Sequence, residues 1–349
     1  MRSSFNPAPT RLIDVIQPAW LTTMLSAHWP GVKVHGVTVV ETLVTQATKV
    51  RLALELTGGP DNIPHHICIK GILGDTQVPG TASVVETRFY RELADRLPVR
   101  VPHCIYAELN EAGDNGVIVM EDEIKAGSTF LSALTPFTVE EACGSLEQLA
   151  LLHVEGWQGR DLFDQPWIPR FLDMITHKPI MPPAMLQQML QGPKGTALPP
   201  AVKDTARLQR GLELFAQQVR ASPACLVHGD AHAGNIYRTA QGYGLVDWQI
   251  LQKGEWSQDV AYHLASVLSP EDRRTHERAL LDHYRARLKA LGGPDLPADE
   301  AWQRYRAAMM YGYYLWVITQ KVEPAITNEF TRRLGLAVAD LHSFEAIGA

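Results

Sequence analysis

The amino-acid sequence predicts an α+β fold in two parts, a small antiparallel sheet followed by a larger, mainly helical region. Three observations support this prediction. β-Branched and alternating runs lie in roughly the first third of the chain, a strong turn signal separates two of them, and helical spacing of apolar residues dominates the remainder. We place the boundary after Asp122, so that residues 1–122 form an N-terminal lobe and residues 123–349 a C-terminal lobe.

Five strands and one helix are predicted in the N-terminal lobe. The strand candidates are residues 32–40, 49–56, 65–70, 101–108 and 116–120. Segment 58–62, which contains Gly, Pro, Asp and Asn, joins the second and third candidates as a hairpin and therefore predicts antiparallel pairing. Residues 81–97 change to helical spacing, with Val85, Phe89 and Leu93 on one stripe. A helix is therefore expected after the third strand.

The C-terminal lobe is predicted to be mostly helical. Apolar residues recur at helical spacing in residues 138–154, 208–219 and 270–291. The only strand-like interruption lies between residues 224 and 246. The proline-rich stretch 179–200 is interpreted as a surface excursion and not as a linker between domains.

Composition and charge exclude several classes of protein. The 349 residues are 46% hydrophobic and 20% charged, which is ordinary for a globular protein. The net charge of −6 disfavours a nucleic-acid partner, because such partners are bound through an excess of Lys and Arg. Four cysteines without a C-x-x-C pair are expected to be free thiols: Cys68, Cys104, Cys143 and Cys225.

The distribution of apolar residues indicates where the protein resides. No apolar run is long enough to span a bilayer, and Asp14, Gln17 and Pro18 interrupt each candidate signal segment. We therefore expect a cytoplasmic protein without a membrane partner. Nothing in the sequence indicates an oligomeric state.

The segment between Leu226 and Tyr237 carries the strongest functional signal. Asp230 and Asn235 have the D-x-x-x-x-N spacing of a kinase catalytic loop. An Asp at the start of such a loop can orient an acceptor hydroxyl and take its proton, and an Asn further on can offer an oxygen to Mg²⁺. Asp247 ends the next apolar strand, where a hairpin would bring it beside Asn235. These residue types suit a magnesium-bound nucleotide.

This pattern resembles a known family. His-Gly-Asp at 228–230, Asn235, and Asp-Trp after an apolar strand at 247–248 are similar to the hallmark of the phosphotransferase family that includes aminoglycoside, choline and ecdysteroid-type kinases. The resemblance implies a bilobal protein-kinase-like fold that binds ATP. It implies Asp230 as catalytic base or hydroxyl-orienting group, and Asn235 with Asp247 as Mg²⁺ ligands. The acceptor would be a hydroxyl of a small molecule.

Further landmarks of the resemblance lie on both sides of this segment. Lys70, which closes the third strand, resembles the lysine that contacts the α and β phosphates, and Glu86 resembles its helix partner, with Glu92 as the competing residue. Met120-Glu121-Asp122 resembles the hinge whose backbone binds the adenine edge. Asp259 resembles the buried Asp that braces the catalytic loop, and His228 and His232 are assigned supporting roles. Elsewhere, His153 is interpreted as a structural histidine.

The hairpin expected to cover the phosphates departs from the family pattern. Residues 41–48 contain no glycine, although close approach of a backbone to phosphates favours glycine. Two alternatives follow. Either the hydroxyl groups of Thr45 and Thr48 contact the phosphates, or nucleotide binding is weakened.

Two other functions compete with the kinase hypothesis. His228, Asp230 and His232 alternate along the chain, as the ligands of a transition metal in a hydrolase could. Gly229 and Gly234 disfavour the helix that H-x-x-x-H spacing would need, and no H-E-x-x-H motif occurs. A catalytically silent kinase fold that only binds is the third hypothesis, suggested by the glycine-free hairpin.

The aromatic-dense helical segment 302–316 bears on the acceptor. Such a segment is either a packed core helix or a source of rings that line the acceptor pocket. In the second case the acceptor is bulky and partly apolar. Cationic antibiotics would call for clustered carboxylates, whereas those of the C-terminal lobe are mainly dispersed.

Overall fold

A five-stranded antiparallel sheet forms the first part of the computed structural model, which describes residues 7–74 and 80–349. Its strands, in the spatial order β1-β2-β3-β5-β4, are β1 (Lys33–Val44), β2 (Thr48–Thr57), β3 (His66–Gly71), β4 (Cys104–Leu109) and β5 (Gly116–Glu121). Each neighbouring pair is antiparallel. The pairing that the hairpin signal predicted is therefore present.

The contacts between Cα atoms divide the chain into two units. Unit one comprises the described residues up to Arg96 together with Val101–Thr129, and unit two comprises Leu97–Arg100 together with Phe130–Ala349. The division predicted after Asp122 differs slightly from this one and stays a prediction. Unit one contains the large sheet, and unit two contains most of the helices.

The core of unit one lies between its sheet and two N-terminal helices that the sequence did not predict, α1 (Leu12–Val15) and α2 (Pro18–Ser26). Alternate residues of β2 are buried, as expected of a strand with one face against a core. The predicted helix at 81–97 is helical but changes type. It begins as α3 (Thr81–Arg88), continues as a π-helix over Phe89–Leu93 and ends as a 3₁₀ turn over Ala94–Arg96.

Unit two is mainly helical, with a few short strands. Its helices are α4 (Val139–Glu155), α5 (Phe171–His177), α6 (Pro183–Gln191), α7 (Thr205–Ala221), α8 (Ser257–Val267), α9 (Pro270–Ala290), α10 (Ala298–Ile318), α11 (Pro324–Asp340) and α12 (Ser343–Ile347). Its strands are β7 (Cys225–Val227), β8 (Ile236–Thr239), β9 (Gly242–Leu245) and β10 (Gln252–Gly254), and β6 (Thr129–Phe130) precedes them where unit two begins. The predicted fold class is thus confirmed.

One local prediction for unit two needs correction. Strands β6 and β10 lie outside the predicted interval 224–246, and β10 pairs antiparallel with β7. Runs of two or three residues are too short for a periodic signal. The proline-rich stretch 179–200 lies within unit two and contains α6, which has Pro183 in its first turn, where a proline is tolerated.

Helix α10 is a core helix, as one of the two interpretations of the aromatic segment proposed. Tyr305, Tyr311 and Tyr313 are fully buried in it, and α10 packs against α8. The described residues, 7–74 and 80–349, contain no helix with the length and hydropathy needed to cross a membrane.

Candidate active site

The candidate catalytic loop, residues 228–235, follows the buried strand β7 and leads into the β8–β9 hairpin. In that hairpin Ile236 pairs with Leu245, so the residues before β8 and after β9 lie at the same end. The backbone N–H of Val246 donates to the Asn235 carbonyl at 3.0 Å. The hairpin therefore brings Asn235 and Asp247 together, as the sequence predicted.

Asp247 has an unusual backbone conformation. Its φ of +67° lies in the left-handed region, which L-residues other than Asn, Asp and His rarely occupy. The following Trp248 is fully buried, with its ring 4.6 Å from that of His228. The chain therefore turns after β9 at a residue type that tolerates this conformation.

The Asp230 carboxylate is held by donors on both of its oxygen atoms. The Tyr262 hydroxyl donates to Oδ1 at 3.0 Å, and Asn235 Nδ2 donates to Oδ2 at 3.1 Å. Asn235 Nδ2 also donates to the Asp230 carbonyl at 2.9 Å. With its nitrogen used in this way, the Asn235 side chain has its amide oxygen left for a cation.

Asp259 braces the loop from α8. Its carboxylate accepts the backbone N–H of His228 at 2.6 Å and that of Gly229 at 2.8 Å. His153 Nε2 lies 3.2 Å from the same carboxylate, and the Tyr284 hydroxyl lies 2.7 Å from His153 Nδ1. His153 is therefore a buried residue with partners on both nitrogens, in agreement with its interpretation as a structural histidine.

His228 does not have the free nitrogen that a metal ligand needs. Its Nδ1 accepts the N–H of Asp230 at 3.2 Å, and its Nε2 lies 3.0 Å from the Val246 carbonyl. Burial lowers the pKa of His228, which keeps the ring neutral. Nδ1 of His232 accepts the N–H of Gly234 at 3.0 Å. Both histidines thus support the loop.

The alternative of a transition-metal hydrolase has no support in the geometry. Within the described parts of the chain, no group of three or more His, Cys, Asp or Glu side chains is arranged to hold a metal ion. The pattern of alternating residues at 228–232 is that of a loop braced by histidines, and not that of a ligand set.

Gly229 is required by the shape of the loop. Its φ of +82° is in the left-handed region, and a Cβ atom there would lie 2.4 Å from the Ile250 carbonyl oxygen. The Tyr311 hydroxyl donates to the Gly229 carbonyl at 2.8 Å, and Gln252 Nε2 donates to that hydroxyl at 3.0 Å. Helix α10 thus holds the loop at Gly229.

Sequence reasoning missed several residues that contact the loop. Three of them, Tyr262, His263 and Tyr311, bond to loop residues directly, and Gln252 supports the loop through the Tyr311 hydroxyl. Nδ1 of His263 lies 3.0 Å from the Ala231 carbonyl. Tyr262 and His263 follow Asp259 at i+3 and i+4, which places all three on one face of α8, so this spacing was a usable signal. For Tyr311 no comparable signal exists, because it is 82 residues from Gly229.

In unit one, Lys70 and Glu86 form a buried ion pair. Lys70 Nζ lies 2.8 Å from the Glu86 carboxylate, and their side chains are 4% and 3% exposed. Glu92, the competing residue, pairs with Arg91 at 2.7 Å. The structure therefore brings together the two residues that the resemblance selected.

The two predicted phosphate contacts of the β1–β2 hairpin, Thr45 and Thr48, differ in their exposure to solvent. The backbone N–H of Thr45 donates to the Ala47 carbonyl at 2.9 Å, and its side chain is partly exposed. Thr48 is 2% exposed, on the same face of β2 as buried Val50. Thr48 is therefore less accessible than Thr45, and the phosphate contacts of both residues stay predictions.

The predicted hinge residues Met120, Glu121 and Asp122 lie at the end of β5. The N–H groups of Glu121 and Asp122 already donate to backbone carbonyls, at 3.0 Å and 3.1 Å. The Asp122 carboxylate accepts a bond from Arg51 Nε at 2.9 Å. An adenine edge bound here would therefore not use either of those two N–H groups.

Three features are typical of kinase-like folds. They are the five-stranded sheet, the Lys70–Glu86 pair and the loop that carries Asp230 and Asn235. Residues 85–307 match the model of the phosphotransferase enzyme family, and the chain belongs to that family. The resemblance that the sequence indicated is thereby confirmed.

Individual relatives cover less of the chain or are more distant. Over 95 residues the chain is 35% identical to a thiamine kinase of Salmonella typhimurium, and the match covers 27% of this chain and only 28% of that relative. An ethanolamine kinase of Plasmodium vivax has the same fold, with a TM-score of 0.55, 13% identity and coverage of 88% and 83%. A choline kinase of Cryptosporidium parvum gives a TM-score of 0.56, 9% identity and coverage of 94% and 95%. These structural likenesses concern the fold.

Proposed function

We propose that this protein transfers the γ-phosphate of ATP to a hydroxyl group of a small molecule. The observation that carries the proposal is the Asp230 carboxylate, which is fixed by two donors and remains partly exposed, with 28% of its side chain accessible. Enzymes catalyse phosphoryl transfer mainly by positioning the reactants and stabilising charge. An oriented carboxylate can position the attacking hydroxyl. Membership of the phosphotransferase enzyme family supports the same reaction.

Asp230 is assigned to the acceptor. An oxygen of its carboxylate would accept the hydrogen bond of the acceptor hydroxyl, align that oxygen for attack and take its proton. Asp259 would keep the loop in place through the N–H groups of His228 and Gly229.

Asn235 and Asp247 are assigned to Mg²⁺. An amide oxygen and a carboxylate are the hard oxygen ligands that Mg²⁺ prefers, and Nδ2 of Asn235 is already engaged by Asp230, so the donor set fits the ion. When bound, the ion would supply charge stabilisation to the phosphates of ATP.

Unit one is assigned to the nucleotide. Lys70, held by Glu86, would bind the α and β phosphates, and Thr45 would contact phosphate from the hairpin. Residues 120–122 would receive the adenine through backbone groups other than the N–H groups already used in the sheet.

The acceptor is further proposed to be bulky and partly apolar, with rings of the aromatic-dense segment in its pocket. Tyr314 of α10 lies one helical turn beyond Tyr311, whose hydroxyl contacts the loop, and lines a small cavity of about 20 Å³ together with apolar residues such as Met181 and Leu186. That cavity has room for about one water molecule, so the acceptor class depends on the library screen.

The mechanism is tested by replacing Asp230 with Asn. Turnover of the acceptor should fall by roughly 10³-fold, because general-base and orienting contributions are of this size, while binding of Mg-ATP changes little. Asp164→Asn, an exposed residue of the same unit, serves as a control for the loss of one charge. Wild-type turnover by Asp230→Asn would refute the mechanism.

The acceptor is tested by a library of hydroxyl compounds screened for ADP formation. The library contains steroids, sugars, aminoalcohols and aminoglycosides, together with thiamine, choline and ethanolamine, the alcohols named by the similar kinases. Turnover confined to small polar alcohols would contradict the proposal of a partly apolar acceptor. Mg-ATP binding without turnover of any compound would favour the catalytically silent alternative.

A further inference from the structure

Tyr262 contacts the Asp230 carboxylate from a different element than Asn235 does. Its hydroxyl, on α8, donates to Oδ1 at 3.0 Å, whereas Asn235 donates to Oδ2 from within the loop, at 3.1 Å. The torsion that rotates a carboxylate about its Cβ–Cγ bond has a broad and shallow energy profile. One donor leaves much of that rotation open, and two donors on opposite oxygens restrict it.

The ring of Tyr262 is itself fixed by its surroundings. It is 1% exposed and makes an edge contact with Tyr311, with ring centroids 6.2 Å apart. Gly312 allows α10 to approach it, because a Cβ atom at that position would lie 2.4 Å from a ring carbon of Tyr262. The hydroxyl therefore reaches Asp230 from a rigid support.

The Tyr262 hydroxyl is protonated, and can act as a donor, at neutral pH. Burial, followed by the neighbouring Asp230 carboxylate, raises the pKa of the phenol well above its usual value. The hydroxyl consequently stays protonated, and its contact with a carboxylate is a hydrogen bond to a charged acceptor, the stronger kind.

We propose that Tyr262 is a positioning residue that sets the orientation of the Asp230 carboxylate for the acceptor hydroxyl. This inference rests on the proposed function, in which Asp230 receives that hydroxyl. Tyr262 itself contacts neither substrate in this scheme. Loss of its hydroxyl reduces the fraction of molecules with a productive carboxylate, which lowers kcat and leaves the KM values for ATP and acceptor nearly unchanged.

The test is Tyr262→Phe, which removes the hydroxyl and keeps the ring. With the best acceptor of the library screen and Mg-ATP, kcat should fall roughly tenfold, and each KM should stay within about twofold. Tyr313→Phe is the matched control, since it removes another buried hydroxyl of the same unit, one that donates to the Val202 carbonyl at 2.8 Å. Both variants should lose similar thermal stability, but only Tyr262→Phe should lose kcat.

A double-mutant cycle separates positioning from general support of the fold. If Tyr262 acts through the Asp230 carboxylate, adding Tyr262→Phe to Asp230→Asn should change the residual turnover by less than about twofold. A tenfold loss in both backgrounds would overturn the inference, because the hydroxyl would then act elsewhere.

Gly312→Ala is an independent second variant. It displaces the ring and keeps the hydroxyl, so kcat should fall in the wild-type background and should fall no further when it is combined with Tyr262→Phe. Unchanged kcat in Tyr262→Phe, with turnover still lost in Asp230→Asn, would overturn the role of Tyr262 alone. Full turnover in Asp230→Asn would refute the proposed function, and this inference with it.

Discussion

Two buried polar sites in this protein are stabilised in different ways. In unit one, Lys70 and Glu86 are opposite charges, each within 2.8 Å of the other and almost wholly removed from solvent. In unit two, the backbone of the catalytic loop is bound by side chains from separate positions, which include Asp259, His263 and Tyr311. The first site is built around an ion pair of two charged side chains, and the second has several partners that are mostly neutral.

The difference predicts how each site responds to a single substitution. Removal of one member of a buried ion pair leaves an uncompensated charge, which is strongly destabilising. Removal of one neutral donor from a shared set costs only the desolvation of the group left behind. The pair should therefore be the more fragile site, and the loop should be sensitive mainly where its backbone shape is constrained.

Glu86→Ala should have the largest effect on stability. It leaves the Lys70 ammonium buried without this carboxylate, and the free energy of unfolding should fall by about 3–5 kcal/mol. Urea denaturation measures the loss. Glu92→Ala is the control from the same helical segment, because its pairs with Arg88 and Arg91 are partly exposed and should contribute less than about 1 kcal/mol.

The charge explanation can be separated from simple loss of packing. Adding Lys70→Met to Glu86→Ala removes the buried ammonium and should restore much of the lost stability, since an apolar side chain tolerates burial. A double variant that is less stable than Glu86→Ala would show that packing, and not charge, dominates at this position.

Gly229→Ala should have the next largest effect. The added methyl group meets a left-handed backbone and the Ile250 carbonyl oxygen at 2.4 Å, so we expect a loss of about 3 kcal/mol and little turnover. Gly159→Ala separates the two causes, because Gly159 has the same φ of +82° with no atom within 4 Å of the added Cβ. Equal losses in the two variants would contradict the argument from the close contact.

Much of the site could be predicted because its residues are adjacent in sequence or belong to adjacent elements. Asp230 and Asn235 share one loop, the β8–β9 hairpin brings Asp247 beside them, and Lys70 ends the strand before the helix of Glu86. Local spacing fixes these relationships. The same reasoning located the sheet, since alternation marks its buried strands.

The part of the candidate site that the sequence did not predict depends on contacts between elements that are distant in sequence. Tyr311 meets Gly229 only because α10 packs beside the loop, and no periodicity in the sequence encodes that contact. The burial of Thr48 was different, because alternation along β2 puts it on the same face as Val50 and Leu52, a signal that was present and unused. Short strands such as β10 fall below the length at which alternation can be detected.

His263→Gln tests the neutral support of the loop and should have the smallest effect, one that depends on pH. Burial lowers the pKa of His263 from 6.5 to about 4, and its ring bridges the Ser145 hydroxyl and the Ala231 carbonyl. Between those values the unfolded chain binds a proton that the folded protein does not. The contribution of the neutral ring to the free energy of unfolding is thus fully present above pH 6.5. It falls as the pH falls, by about 2 kcal/mol at pH 5.

Glutamine cannot take up that proton, so the stability of the variant should lack this part of the pH dependence. Urea denaturation at pH 7 and pH 5 should show the wild-type protein losing its advantage over His263→Gln by about 2 kcal/mol, because the other ionisable groups cancel in the comparison. The phenol of Tyr313 stays protonated over this range, so Tyr313→Phe should show a constant difference from wild type. A constant difference for His263→Gln as well would mean that the buried imidazole takes up its proton without unfolding, and the loop would then tolerate a charged support.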